Sequence, residues 1–157
     1  MSFFMPHIHD KIDFTVEVYI VYNGKVLLRK HDKYKIWLSV GGHIELDEDP
    51  NQAAVREVKE EVGLDITLYD PRREDVSGDD SIDLIPPVGL NRHRISETHE
   101  HVTLIYFARA GSDRVVADQT HEISDELKWC GVEDIDHLRP IKKNVAAYAK
   151  RALEEVR

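Results

Sequence analysis

Through residues 13–22, DFTVEVYIVY, polar and apolar positions alternate, and the apolar ones are mostly β-branched or aromatic. That period of two predicts a strand. Asn23-Gly24 follows, a strong hairpin signal, and KVLLRK (25–30) is the return strand. IWLSV (36–40) predicts another short strand, closed by Gly41-Gly42. After residue 49 the period becomes helical: Ala54, Val58 and Val62 recur every four residues and mark a buried stripe. The ends of this helix are punctuated. Asp49 is a good N-cap, Pro50 fits the first helical position, Gln52 completes a capping box, and Gly63 suits a left-handed cap. DITLYD (65–70), LIPPVGLNRHRI (84–95), HVTLIYFARA (101–110) and LKWCGV (127–132) predict further strands. Pro86-Pro87 implies an edge position or a late start for the second of these. IKKNVAAYAKRALEEVR (141–157) predicts an amphipathic C-terminal helix. No repeat or linker breaks the series, so one domain spanning residues 1–157 is expected.

Composition narrows the partners. Apolar residues make up 41% and charged residues 32%, as in a soluble globular chain. No apolar run approaches the roughly 20 residues of a membrane span, and the first residues do not read as a secretory signal. Cys130 is the only cysteine, which excludes an internal disulfide and a multi-cysteine zinc site. It reads as an ordinary buried thiol, and a cytoplasmic location is expected. Net charge is −9 without a basic cluster, so long DNA or RNA is not an expected partner. A small polyphosphate remains compatible if a divalent cation meets its charge.

The chemistry concentrates in REVKEEVG, residues 56–63, where Glu57, Glu60 and Glu61 fall within five positions. Positions three and four apart share a helix face, so these carboxylates converge and repel one another. Hard cations such as Mg²⁺ take oxygen ligands, and the repulsion is relieved by a cation. Gly41-Gly42 lets the backbone approach closely, and a carbonyl there offers a further ligand. Gly42 is followed after five residues by Glu48, and after seven more by Arg56-Glu57, apolar Val58, Glu60-Glu61, Gly63 and apolar Leu64. This series, residues 42–64, resembles the Nudix box.

The resemblance implies an α+β chain with the Nudix fold, an α/β/α sandwich around a mixed β-sheet. It implies hydrolysis of a phosphoanhydride bond in a nucleoside diphosphate derivative by metal-activated water, with Mg²⁺ or Mn²⁺ as cofactor. Glu60 and Glu61 would be the principal metal ligands, with Glu57 orienting or deprotonating the water or sharing the metal. Gly42 would contribute to the metal site. Glu48 and Arg56 would hold loop and helix together as an ion pair, and Gly63 would end the helix. The features that mark ADP-ribose, dinucleoside polyphosphate and coenzyme A subgroups are missing. What remains is similar to the MutT type, which acts on nucleoside triphosphates or modified nucleotides. Other outcomes of the resemblance are an inactive nucleotide-binding or regulatory module and an isoprenoid diphosphate isomerase. A homodimer is a further expectation.

Outside the box, Glu122 is the first candidate for an additional ligand or base, followed by Glu126, Glu97 and Glu100. Arg29 is read either as a phosphate contact or as an exposed strand-end cation. His43, next to the glycines, is read as a substrate contact or a packed loop residue. His99 and His101 would share one strand face. With His93 they read as a transition-metal site, a polar rim or plain surface residues, and His7 and His9 as incidental. Trp37 and Trp129 are expected in the core. The polar segment 71–100 is expected to shape the substrate pocket.

Overall fold

The computed structural model describes residues 9–116 and 124–157, without the side chains of residues 124 and 125. Chain order is β1 (Ile12–Tyr22), β2 (Lys25–His31), β3 (Trp37–Leu38), β4 (Val40–His43), α1 (Pro50–Val62), β5 (Ile66–Leu68), β6 (Gly89–Arg94), β7 (Glu100–Ala110), β8 (Ser124–Cys130), α2 (Val132–His137) and α3 (Lys143–Glu155). The strands form one mixed sheet. β1 and β7 run parallel at its centre, from Ile12 opposite Glu100 to Val21 opposite Arg109. The pairings of β1 with β2 and β4, of β2 with β3 and β8, and of β7 with β5 and β6 are antiparallel.

Strand alternation divides the core into two layers. Val16, Val18 and Ile20 of β1, with Tyr106 and Ala108 of β7, pack against Ala53, Ala54, Val58 and Val62 of α1. Tyr19 and Val21, with Ile105 and Phe107, pack on the other face against Ile135 of α2 and Val145, Ala149 and Ala152 of α3. Each large apolar side chain so buried contributes roughly 1.5–3 kcal/mol. A central strand covered on both faces must therefore be apolar at successive positions, as VYIV (18–21) is.

Helix α1 starts and stops where its punctuation predicts. The Asp49 side chain accepts from the Gln52 N–H, and the Gln52 side chain accepts from the Asp49 N–H. Gly63 closes the helix at φ 69°. Elsewhere the elements shift. Gly41 and Gly42 lie inside β4, paired with β1, rather than after a strand. The strand expected over 84–95 is confined to Gly89–Arg94, because Pro86 and Pro87 supply no N–H to a ladder. The strand expected over 127–132 runs from Ser124 to Cys130, and Val132 begins a helix that the sequence reading did not anticipate. No helix among the described residues is long and apolar enough to cross a membrane.

Candidate active site

Helix α1 is placed by its buried stripe, which fixes where its glutamates project. Glu57 lies directly over β4: a Cβ on Gly42 would sit 2.3 Å from its Oε1. Only glycine at 42 admits this contact. Arg56 gathers the neighbouring carboxylates. Its Nη2 donates to Glu48 Oε1 at 2.6 Å and to the His43 carbonyl at 2.9 Å, tying helix to loop. Its Nη1 reaches Glu57 Oε1 at 3.0 Å and Glu60 Oε2 at 3.1 Å. The Arg56 hydrogen bond holds Glu48 below the usual carboxylate range. In return, Glu48 is the leading cause of the rise in the Arg56 pKa.

Glu61 is set deeper than the other two glutamates of the box. It is buried, and its Oε2 lies 3.4 Å from Arg29 Nε. Arg29 is buried as well and donates through Nε to the Ser39 carbonyl at 3.1 Å. The reading of Arg29 as an exposed strand-end cation is therefore corrected: it occupies the α1 side of β2, where Leu27 also packs.

As they stand among the described residues, no three His, Cys, Asp or Glu side chains are arranged to enclose an ion. Arg56 lies between Glu57 and Glu60, and Arg29 holds Glu61. The donor set nonetheless fits a hard divalent cation. It consists of carboxylate oxygens, one of them packed on the strand backbone at Gly42, with no thiolate among them. Glu122 lies outside the described residues. Glu126 is an exposed partner of Lys30 at 4.0 Å, Glu97 is exposed, and Glu100 pairs with Arg92 at 2.5 Å.

The opposite sheet face carries a second feature, of which the sequence marked the histidines but not the residues of β1. Asp13, Thr15 and Glu17 point the same way as Tyr19 and Val21, but α3 covers only the latter pair. Their neighbours are polar too: His43 faces Thr15, Thr103 faces Thr15 from β7, and His101 faces both Asp13 and His93. Thr15, Glu17, His43, His93, His101 and Thr103 line a cleft of ≈ 130 Å³ that reaches Arg29, Ser39, Gly41 and Gly42. Thr15 and Thr103 hydroxyls share a hydrogen bond of 2.7 Å. His43 Nε2 lies 3.2 Å from Asp13 Oδ2, and His43 and His101 meet ring edge to face at 5.0 Å. Burial and the neighbouring histidines push the His101 pKa down to about 4, and burial also lowers that of His93. A polar run at alternate positions of an otherwise apolar strand, D-T-E in DFTVEVYIVY, was the available signal.

Other expectations resolve simply. Trp37 is core, while Trp129 is half-buried and donates its indole N–H to the Asp113 carbonyl at 3.1 Å. Cys130 is buried, and burial pushes its thiol up to about 11. The segment before β6 is anchored to α1 by Asn51, which exchanges two 2.9 Å hydrogen bonds with the Ile85 backbone.

The NUDIX domain family matches residues 13–153. An RNA pyrophosphohydrolase of Roseobacter denitrificans is 30% identical over 130 residues, covering 80% of this chain and 79% of the relative. A CTP pyrophosphohydrolase of Escherichia coli is 33% identical over 99 residues, or 59% of this chain and 73% of the relative. The crystal structure of a NUDIX-family hydrolase from Clostridium perfringens superposes with a TM-score of 0.80 at 36% identity, covering 90% of this chain and 96% of that one. The likeness runs through strands, box helix and C-terminal helix together, and this chain belongs to the NUDIX family of hydrolases.

Proposed function

We infer that the chain is a divalent-metal-dependent pyrophosphohydrolase whose substrate is a nucleoside triphosphate or modified nucleotide. The observation that carries this reading is the junction at Gly41-Gly42. One side of these residues meets the Glu57 carboxylate, and the other lines the polar cleft. Anionic phosphates and an uncharged heterocycle joined in one small molecule match a site built this way.

Glu57, Glu60 and Glu61 would hold Mg²⁺ or Mn²⁺ with the strand backbone at Gly42. The ion supplies Lewis acidity and neutralises charge on the phosphates. The remaining work falls to the protein. With an ion bound, Arg56 would release Glu57 and Glu60 and keep Glu48, still tying helix to loop. Arg29 aims Glu61 from the interior and borders the cleft, where a cation attracts phosphate. Glu57 accepts a proton from the attacking water. Phosphoryl transfer requires mostly positioning and charge stabilisation, and these groups provide both.

The test is a turnover panel with and without Mg²⁺ or Mn²⁺. It comprises canonical and oxidised nucleoside triphosphates, nucleotide sugars, ADP-ribose, dinucleoside polyphosphates and 5′-triphosphate RNA. Metal-dependent release of pyrophosphate and a nucleoside monophosphate from triphosphates is the expected result. Turnover confined to RNA or to nucleotide sugars would overturn the substrate assignment.

A further inference from the structure

The cleft contains a carboxylate with no part in the box chemistry. Glu17 lies on the sheet face opposite α1, beside Ser39 and across β4 from the glutamates of the box. Its Oε2 accepts from Tyr19 Oη at 3.4 Å; burial raises its pKa, and the neighbouring Ser39 hydroxyl offsets part of that rise. A carboxylate has about four acceptor sites, so these neighbours leave capacity for a ligand. Both neighbours are themselves fixed. Tyr19 is fully buried and braced against Phe107 and Tyr148, at ring distances of 6.2 and 5.8 Å. Ser39 is buried.

The rest of the cleft restricts what Glu17 can meet. The Thr15 and Thr103 hydroxyls engage each other, and His93 Nδ1 engages Asn91 Oδ1 at 3.0 Å. The cleft volume of ≈ 130 Å³ is on the scale of the roughly 150 Å³ that accommodates one aromatic ring. A single heterocyclic unit fits it, and the carboxylate requires donors on the edge that faces it. Burial makes an unmatched edge expensive, because the carboxylate would lose water without gaining hydrogen bonds.

We propose that Glu17 selects the substrate by accepting hydrogen bonds from a heterocycle that presents a ring N–H beside an exocyclic amine, as guanine and pterins do. Such paired donors match the two carboxylate oxygens in the manner of a guanidinium fork. Uracil offers one N–H between two carbonyls, which the carboxylate repels. Adenine and cytosine offer an amine beside a ring acceptor. This inference rests on the triphosphate reading above and deepens it.

The test compares kcat/KM for GTP, ITP, CTP, UTP and dihydroneopterin triphosphate in the wild-type protein and in Glu17→Gln. Inosine keeps the ring N–H and lacks the amine. Losing a hydrogen bond to a buried charge predicts that GTP exceeds ITP by roughly tenfold to a hundredfold in the wild type. Glu17→Gln brings that ratio within about threefold, since one oxygen becomes a donor that opposes the amine. The ratio of dihydroneopterin triphosphate to GTP decides between pterin and guanine. Equal wild-type rates on GTP and ITP would overturn the inference without reference to the variant. So would faster turnover of CTP or UTP, or an unchanged ratio in a folded Glu17→Gln. Turnover of ATP alone would overturn the inference and leave the triphosphate reading standing; turnover of none of these, nor of ATP or oxidised triphosphates, would overturn both.

Discussion

Arg56 is the residue on which the box geometry turns. It joins helix α1 to Glu48 and to the His43 carbonyl and also orders Glu57 and Glu60. Hydrogen bonds to charged groups contribute about 1.5–3 kcal/mol each where water is partly excluded. These bonds share one side chain and are not additive. Arg56→Ala should therefore lower stability by about 2–3 kcal/mol. In a chain of this length that is a fall of roughly 4–12 °C in Tm, read by calorimetry. Activity should fall as well; a loss of activity with an unchanged Tm would remove the structural role. Acid tests the same contact. The folded pKa of Glu48 lies below its ordinary 4.5, with the Arg56 hydrogen bond as the main cause. Its contribution is complete above that value and is lost as pH falls through the depressed folded pKa. Urea midpoints measured from pH 6 down to about 3 should show a shallower decline in Arg56→Ala than in the wild type.

At the scale of an element, β4 shows how two adjacent glycines serve different ends. A Cβ on Gly41 would lie 2.1 Å from the Val16 carbonyl oxygen, which is backbone within the sheet. A Cβ on Gly42 would meet only the end of the Glu57 side chain, at 2.3 Å. Gly41→Ala should therefore strain the β1–β4 ladder and destabilise by about 3 kcal/mol or more, the upper end of overpacking costs. Gly42→Ala should cost about 1 kcal/mol or less, because Glu57 can swing aside. That displacement should nonetheless remove most turnover. Denaturant melts of the two variants check this order, and equal destabilisation would contradict it. Helix α1 was fully legible because capping is a local device: Asp49, Pro50, Gln52 and Gly63 act within one turn of where they stand. The neighbours of β4 were not legible. Gly41 and Gly42 read as a strand end because glycine is a turn residue in isolation. Their place in a ladder depends on β1, more than twenty residues earlier. Helix α2 was missed for a related reason, since its six residues bury only Ile135 and give no period to detect.

Over the whole molecule, the sheet faces α1 on one side and is only partly covered by α2 and α3 on the other. The box carboxylates belong to the first side and the cleft to the second, with β4 between them. The sequence made the box legible because its spacing is local. The cleft brings together residues from β1, β4, β6 and β7, which only the parallel pairing of β1 with β7 makes neighbours. Arg29 shows the same limit: nothing near residue 29 indicates that it will be buried against Glu61. The cleft has a signature of its own. His101, with its pKa depressed to about 4 from an ordinary 6.5, should remain neutral through physiological pH. The unfolded chain binds its proton first, so His101 opposes folding as pH falls from about 6.5 toward 4. Its ring resonances in an NMR titration should move with a midpoint near 4, and a midpoint above 6 would show that the cleft is open to water.

The most direct test of the central claim is steady-state turnover of a nucleoside triphosphate across a Mg²⁺ titration. The proteins are the wild type and the single variants Glu57→Gln, Glu60→Gln and Glu61→Gln. Each variant keeps the size of the side chain and removes its charge. The account predicts no turnover without a divalent ion, and a loss of at least roughly a hundredfold in kcat for Glu61→Gln that saturating Mg²⁺ does not restore. Full activity of Glu61→Gln at high Mg²⁺, or turnover in the presence of chelator, would contradict it.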